Sequence, residues 1–358
     1  MNDGGNPAPA PASRRGPPGL ALLKSALGAA RFRLTGHRAP LAVTLVVTRR
    51  CDSSCAGCGL PLATRPELET RELLDLLDRL AALGTTRLRF TGGEPLLRED
   101  LGALVDRAAQ HGMRTVLETN GHSLPARVTE LRRLDRIMVG LHGREAVHDR
   151  ITEPGAFGRV TAGILAAREA GLQVGTITVL GRHTVDELPW VLEFAEQHGL
   201  DMVVQLAQAD GAVASRGAKR QIAPDEQVRR ALRWLLEARI AGQPVGLSEK
   251  TLRYLLSWED YAVPARATPH EDLHCMAGQV SCVVDADGAV YACLPRMDGH
   301  AIGNLRTDGF DAAFAALGET GCQACTDTAC TEANFLYNLN TPVVLEVARA
   351  RLRLGGAA

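Results

Sequence analysis

Aromatic residues are scarce in this 358-residue chain, where Phe, Trp and Tyr together make up 4%. An excess of one charge is lacking as well, with 40 Lys and Arg against 41 Asp and Glu. A field able to gather polyanions is therefore absent, which argues against a nucleic-acid binder. Long apolar runs are missing. Gly19–Phe32 is interrupted by Lys24 and Arg31 and is too short to span a bilayer, so no transmembrane segment is expected. Residues 1–18 hold no apolar core, so they do not read as a signal peptide but as a disordered tail. Residues 19–40 read as an N-terminal helix packed on the domain, with contact at a membrane surface as the alternative.

What is present is an apolar fraction of 46% carried mostly by Leu, Ala and Val. A chain this long predicts about two domains and buries about 75% of its unfolded surface, so it needs no disulfide staples. Its nine cysteines are an odd number in two tight groups. A secreted disulfide scaffold would be shorter, so a reducing, cytoplasmic setting and metal ligation are expected.

From Leu41 onward, short β-branched runs alternate with amphipathic helical stretches. Period and turn residues predict strands at Leu41–Thr48, Thr86–Phe90, Arg114–Thr119, Arg136–His142, Gln173–Leu180 and Asp201–Ala207. Helices are predicted at Arg71–Leu83, Glu99–His111, Ala126–Arg133, Phe157–Ala170, Val185–His198 and Asp225–Ile240. Six strand–helix units imply an α/β fold with a parallel sheet, two short of a closed barrel. An open, partial (β/α)6 barrel over residues 41–242 is expected, with its functional groups at the C-terminal strand ends. Residues 243–270 read as a linker helix and loop. Residues 271–332 hold six cysteines around a hairpin-like segment, Cys282–Cys293, that turns at Asp287-Gly288. A final helix from about Ala333 to Leu354 is expected within residues 333–358.

Directly after the first strand stand Cys51, Cys55 and Cys58. Three thiolates on one loop can face a common centre, and soft sulfur selects zinc, copper or iron–sulfur clusters. A structural zinc wants a fourth ligand, and none is close in sequence. A site with one open metal position fits better. After the second strand comes Thr91-Gly92-Gly93-Glu94-Pro95. Glycines admit close backbone approach and a carboxylate can meet a cation; the plainer reading is a turn before a helix with Pro at its start.

On these two motifs the chain resembles the radical S-adenosylmethionine (SAM) superfamily, over roughly Leu41 to Gln205. That family's signature is Cys-x3-Cys-x2-Cys after the first strand of a partial barrel. The resemblance implies a SAM-binding [4Fe–4S] cluster on Cys51, Cys55 and Cys58, with Gly92, Gly93 and Glu94 at the amino group of SAM's methionine. Thr119 and Asn120 match a segment that lines the SAM pocket. Reductive cleavage of SAM would yield a 5′-deoxyadenosyl radical that removes a substrate hydrogen, with electrons from a donor such as flavodoxin or ferredoxin. Two positions depart from the pattern. His142 stands where relatives often carry an acid, and Gly57 where they often carry an aromatic. Glu118, Thr178 and Gln205 are read either as polar pocket residues or as structural ones.

The second group, Cys275, Cys282, Cys293, Cys322, Cys325 and Cys330, resembles the auxiliary-cluster modules called SPASM and Twitch. The resemblance implies one auxiliary [4Fe–4S] cluster on Cys275, Cys293, Cys322 and Cys325. Cys330 could replace one ligand, or the six could hold two incompletely ligated clusters; a zinc ribbon is the rival. Cys282 lies in a strand-like run and reads as buried, or else as a hydrogen donor in catalysis. The leading expectation is oxidation of a small-molecule or lipid-like substrate, because few residues precede the first strand. The short Cys-Ala-Gly-Cys-Gly run also resembles radical SAM proteins of hopanoid lipid synthesis. The alternatives are an epimerase or a maturase acting on a ribosomal peptide, and, in another class, a non-enzymatic iron–sulfur or zinc scaffold.

Overall fold

A computed structural model describes residues 18–60, 66–208, 218–297, 301–318 and 321–346. The expected tail, apart from Pro18, and the expected last helix beyond residue 346 lie outside them. Helix α1 (Pro18–Thr35) leads into strands β1 (Ala42–Thr48), β2 (Arg87–Gly92), β3 (Arg114–Thr119), β4 (Arg136–Gly140), β5 (Val174–Leu180) and β6 (Met202–Leu206). Between and after them run α2 (Thr70–Ala82), α3 (Leu101–Gln110), α4 (Leu124–Arg127), α5 (Glu145–Ile151), α6 (Ala156–Glu169), α7 (Leu188–Gln197), α8 (Asp225–Ile240) and α9 (Glu249–Leu256). The six strands are parallel neighbours in chain order. The α/β fold is a partial (β/α)6 barrel.

Helix formation follows apolar spacing and capping. In α2, Leu73, Leu76, Leu77 and Leu80 fall on one buried face, and Glu69 and Glu72 form a reciprocal capping box at its start. Sheet register sorts the side chains by face. Leu45, Phe90, Leu117, Ile137 and Val174 are partners in one row beneath the helices, all buried. The other face carries Thr44, Arg89, Val116 and Arg136 in one row, and this half-buried polar face lines the barrel interior.

The sheet does not end where the six units do. After β7 (Ala265–Arg266), strand β8 (Ser281–Val284) pairs in parallel with β1, and β9 (Ala289–Tyr291) and β10 (Gly303–Asn304) continue antiparallel. The sheet order is β10-β9-β8-β1-β2-β3-β4-β5-β6. The expected hairpin is present, with Gly288 at φ +85 in its turn. It extends the barrel sheet through β1 rather than standing apart. Helix α10 (Leu305–Ala316), β11 (Ala324–Cys325), which pairs with β7, and α11 (Thr328–Tyr337) follow.

Some expectations change. The expected last helix is broken: α11 starts at Thr328, capped by the Asp327 side chain. It stops at Tyr337 before Leu339 at φ +56, and a new turn of helix runs over 341–346. Helix α5 was not expected, because seven residues are too few to show a period. The predicted helix at Ala126–Arg133 is a short α-turn running into a 3-10 turn, Val128–Leu131.

Candidate active site at the barrel mouth

Strand β1 ends at Thr48, and the loop carrying Cys51, Cys55 and Cys58 leaves from its C-terminal end. Three contacts hold this loop. Ala56 N–H donates to the Ile151 carbonyl at the end of α5 (2.6 Å). The Asn120 side chain donates to Asp52 Oδ1 (2.7 Å) and Ser53 Oγ (3.1 Å). Arg49 grips the buried Asp285 carboxylate through Nε at 3.1 and 3.2 Å and through its second guanidinium nitrogen. All nine cysteines are free thiols. Burial raises Cys51 to about 11 and Cys55 to about 12, and the sulfurs of this loop add to both shifts. The three thiols therefore lie within electrostatic reach of one another. Among the described residues no three Cys, His, Asp or Glu side chains surround an ion-sized centre, which a polynuclear cluster, wider than one ion, does not require.

Gly92 and Gly93 lie directly against this loop. A Cβ on Gly92 (φ +157) would overlap the Thr48 carbonyl oxygen, and one on Gly93 would overlap that of Arg50. Gly93 N–H donates to Thr48 and Glu94 N–H to Arg50, both at 2.8 Å. The pair is required here by backbone packing of two strand-end loops, before any ligand is considered.

Glu94 is fully buried. Its Oε1 accepts from Leu96 N–H and Thr119 Oγ1, each at 2.8 Å, and its Oε2 accepts from Asn120 N–H at 2.7 Å. Burial pushes its pKa up to about 7, against the opposing effect of these three hydrogen bonds. The expected SAM-contact residues Gly92, Gly93, Glu94, Thr119 and Asn120 thus meet in one hydrogen-bonded cradle beside the cysteine loop. Glu94 braces β2 to β3 as well as offering negative charge.

At the end of β4, His142 stacks on His148 with ring centroids 5.5 Å apart. His142 Nδ1 accepts from Val179 N–H at 3.4 Å, so its neutral ring carries the proton on Nε2. Burial lowers His142 to about 3 and His148 to about 4. Both are uncharged at neutral pH, so His142 can donate one hydrogen bond where an acid would accept.

The C-terminal cysteines arrive from separate segments. Cys275 precedes β8, Cys293 follows β9, Cys322 and Cys325 flank the start of β11, and Cys330 sits in α11. Burial, then Cys325 and Cys275, raises the Cys293 thiol; burial and the same two neighbours raise Cys322 to about 11. Cys330 is raised by its hydrogen bond with Cys325, then by burial and by Asp327 and Cys293 nearby. Five sulfurs therefore share one neighbourhood, and their soft donor set fits an iron–sulfur cluster. Cys282 does not join it. Its register partner is Val43 on the core-facing side of the sheet, it is buried in the main apolar core, and burial alone raises its thiol. As a hydrogen donor to a substrate in the barrel, Cys282 faces the wrong way.

Glu67 and Arg89 carried no sequence signal, and the structure also places Glu118, Gln205 and Thr178. Glu67 accepts from Thr48 Oγ1 (2.6 Å) and Arg49 N–H (3.0 Å). Arg89 pairs with Glu118 at 3.3 Å on the interior face, with Asp327 and Cys330 in electrostatic range. Gln205 accepts from Thr328 N–H (3.1 Å) and Oγ1 (2.7 Å) and donates to Asp327 (3.3 Å), tying β6 to α11. Thr178 is structural: it is buried on the core side and donates to the Leu141 carbonyl.

Fold and site are those of a radical SAM domain. Residues 45–195 match the Radical SAM superfamily, and this stretch is a radical SAM domain, which implies a [4Fe–4S] cluster and SAM. GTP 3′,8-cyclase of Marinobacter nauticus is 34% identical over 202 residues, 53% of this chain, and the chain spans only 61% of the cyclase's length. Mycofactocin maturase MftC of Mycobacterium tuberculosis is 28% identical over 284 residues, 76% of this chain and 70% of MftC. Among solved structures, Streptococcus suis SuiB bound to its precursor peptide SuiA superposes with a TM-score of 0.64 at 12% identity, covering 81% of this chain and 68% of SuiB. That likeness is one of fold. Residues 45–195 thus form a radical SAM domain, in a chain similar in sequence to a maturase. No described helix is long and apolar enough to cross a membrane.

Proposed function

We propose that this enzyme modifies a peptide, using a SAM-binding cluster on Cys51, Cys55 and Cys58 and one auxiliary [4Fe–4S] cluster on Cys275, Cys293, Cys322 and Cys325. The observation that carries the reading is the gathering of five C-terminal thiols beside the barrel interior, in a chain similar over 76% of its length to a maturase. This favours the peptide alternative over the small-molecule oxidation expected from sequence. Cys330 is a spare fifth sulfur able to replace one ligand. When bound, the first cluster and SAM supply one-electron chemistry that removes a hydrogen atom from substrate. The chain's own residues orient SAM through the Gly92–Glu94 and Thr119–Asn120 cradle. Arg89 and Glu118 offer paired charges to a substrate's polar groups, and reduced flavodoxin or ferredoxin serves as electron donor.

The test is incubation of anaerobically reconstituted enzyme with SAM, reductant and a pool of synthetic peptides. 5′-Deoxyadenosine formation and peptide mass are followed together. Stimulated cleavage with a shifted peptide mass is expected. Stimulation by non-peptide metabolites or lipids alone would return the reading to the small-molecule class.

A further inference from the structure

Among the described residues, helix α1 packs on the rest of the protein through one face. Ser25 and Ala29 are buried; Ser25 Oγ meets Thr86 Oγ1 at 2.6 Å, just before β2, and Ala29 joins Leu41, Met276, Val280 and Tyr337 in a small apolar cluster. Leu41 and Thr86 stand at the N-terminal ends of β1 and β2, so α1 lies at the end of the barrel opposite the cysteine loop.

Its outer face is different. Leu23, Leu27 and Leu34 are 55%, 61% and 85% exposed, three of the four large apolar side chains at least 55% exposed among the described residues. At 3.6 residues per turn the three fall within roughly 40° of one another. The exposed Lys24 and Arg31 lie on one flank of this stripe. On the other, Arg33 donates to the Asn338 carbonyl. No acid stands anywhere between Asp3 and Asp52 in the sequence. An apolar stripe edged by cations, on a helix not long and apolar enough to cross a bilayer, offers leucines to the acyl boundary of a lipid interface and cations to its phosphates.

We infer that α1 docks this enzyme on an anionic membrane surface, with Leu23, Leu27 and Leu34 entering the acyl boundary and Lys24 and Arg31 meeting lipid phosphates. The radical SAM site at the far end of the barrel then faces the aqueous side. Docking is independent of which substrate the site takes.

The test is co-sedimentation of the full-length, cluster-reconstituted protein with vesicles. Equal parts of phosphatidylglycerol and phosphatidylcholine are compared with phosphatidylcholine alone. Two cations at an anionic surface predict roughly thirtyfold preference for the anionic vesicles at low salt, fading as salt rises. Leu23→Ser, Leu27→Ser and Leu34→Ser combined should abolish sedimentation while SAM cleavage persists. Lys24→Glu with Arg31→Glu should remove the anionic preference. The proposal is overturned if the wild type binds neither vesicle or if the variants bind as the wild type does. A wild-type dimer that the leucine variant dissociates, in a protein that ignores vesicles, also overturns it, since a second copy or another protein would then own this face.

Discussion

The two cysteine groups are built in opposite ways. The first three thiols come from eight consecutive residues of one loop, fixed at the end of a central strand. The other five come from segments spread over residues 275–330 and converge only because β8 and β9 join the barrel sheet and α11 is tied to β6 through Gln205. A local site is set by spacing, whereas a collected site depends on the whole fold around it. The two should therefore answer differently to damage.

The largest effect expected is from replacing Cys51, Cys55 and Cys58 by Ala. Of roughly eight irons per reconstituted chain, two four-iron clusters, about half should be lost, together with all SAM cleavage. Cys293→Ala combined with Cys330→Ala, which also removes the spare sulfur, should likewise remove about half the iron but spare SAM cleavage while abolishing substrate modification. Iron analysis and 5′-deoxyadenosine assays on both variants separate the sites; equal loss of cleavage in both would show that they are not independent.

A smaller effect probes the link between the groups. Asp285→Asn removes the buried charge that pairs with Arg49, and breaking such a pair costs roughly 3–5 kcal/mol. Denaturant midpoints should fall accordingly, and the first cluster should be released faster than the second. Release at equal rates would mean that the ion pair does not anchor the cysteine loop.

Glu94 gives a pH signature. With its folded value raised to about 7, the ligand-free fold gains stability from this group as pH falls from 7 towards 4.5, and loses it as pH rises through 7. A methionine ammonium reverses the preference, so SAM should bind more tightly at pH 8 than at pH 6. Glu94→Gln should flatten that dependence and weaken binding roughly ten- to a hundredfold. It also sets an amide N–H against one of the cradle's donors, so a stability loss of about 1–3 kcal/mol is expected beside it. A pH-independent wild-type affinity would remove Glu94 from the SAM contact.

The smallest effect should come from Cys282→Ala. Both clusters and the product should be unchanged, and stability should fall by about 1 kcal/mol, as for a small core truncation. Iron loss on this substitution would contradict its core-facing register.

The six strands and the grouping of the first three thiols were legible because they rest on short-range pattern: alternation within a strand, helical spacing in Leu73, Leu77 and Leu80, and thiols three and four residues apart. The glycine pair was also visible, although its packing against Thr48 and Arg50 was not. What stayed hidden depends on partners far away in sequence. Asp285 is one acid in a hairpin until β8 places it beside Arg49. Cys282 and Val283 look alike in a strand-like run until the register with β1 turns one to the core and the other to the interior. Helix α5 and the break at Leu339 escaped because seven residues and one left-handed backbone carry too little periodic signal.

The parallel pairing of β8 with β1 sets a timetable. Ser281 follows Ala42 by 239 residues, which at 5–20 residues per second is roughly 10–50 s of ribosomal synthesis. Throughout that interval β1, with its run Leu45-Val46-Val47, keeps one edge unpaired, the condition under which strands stick to other chains. The cysteine loop meanwhile hangs from this strand without the Asp285 anchor. Iron delivered to a nascent chain would meet an unfinished site, so the order of events best served by this topology is closure of the sheet first and cluster insertion second.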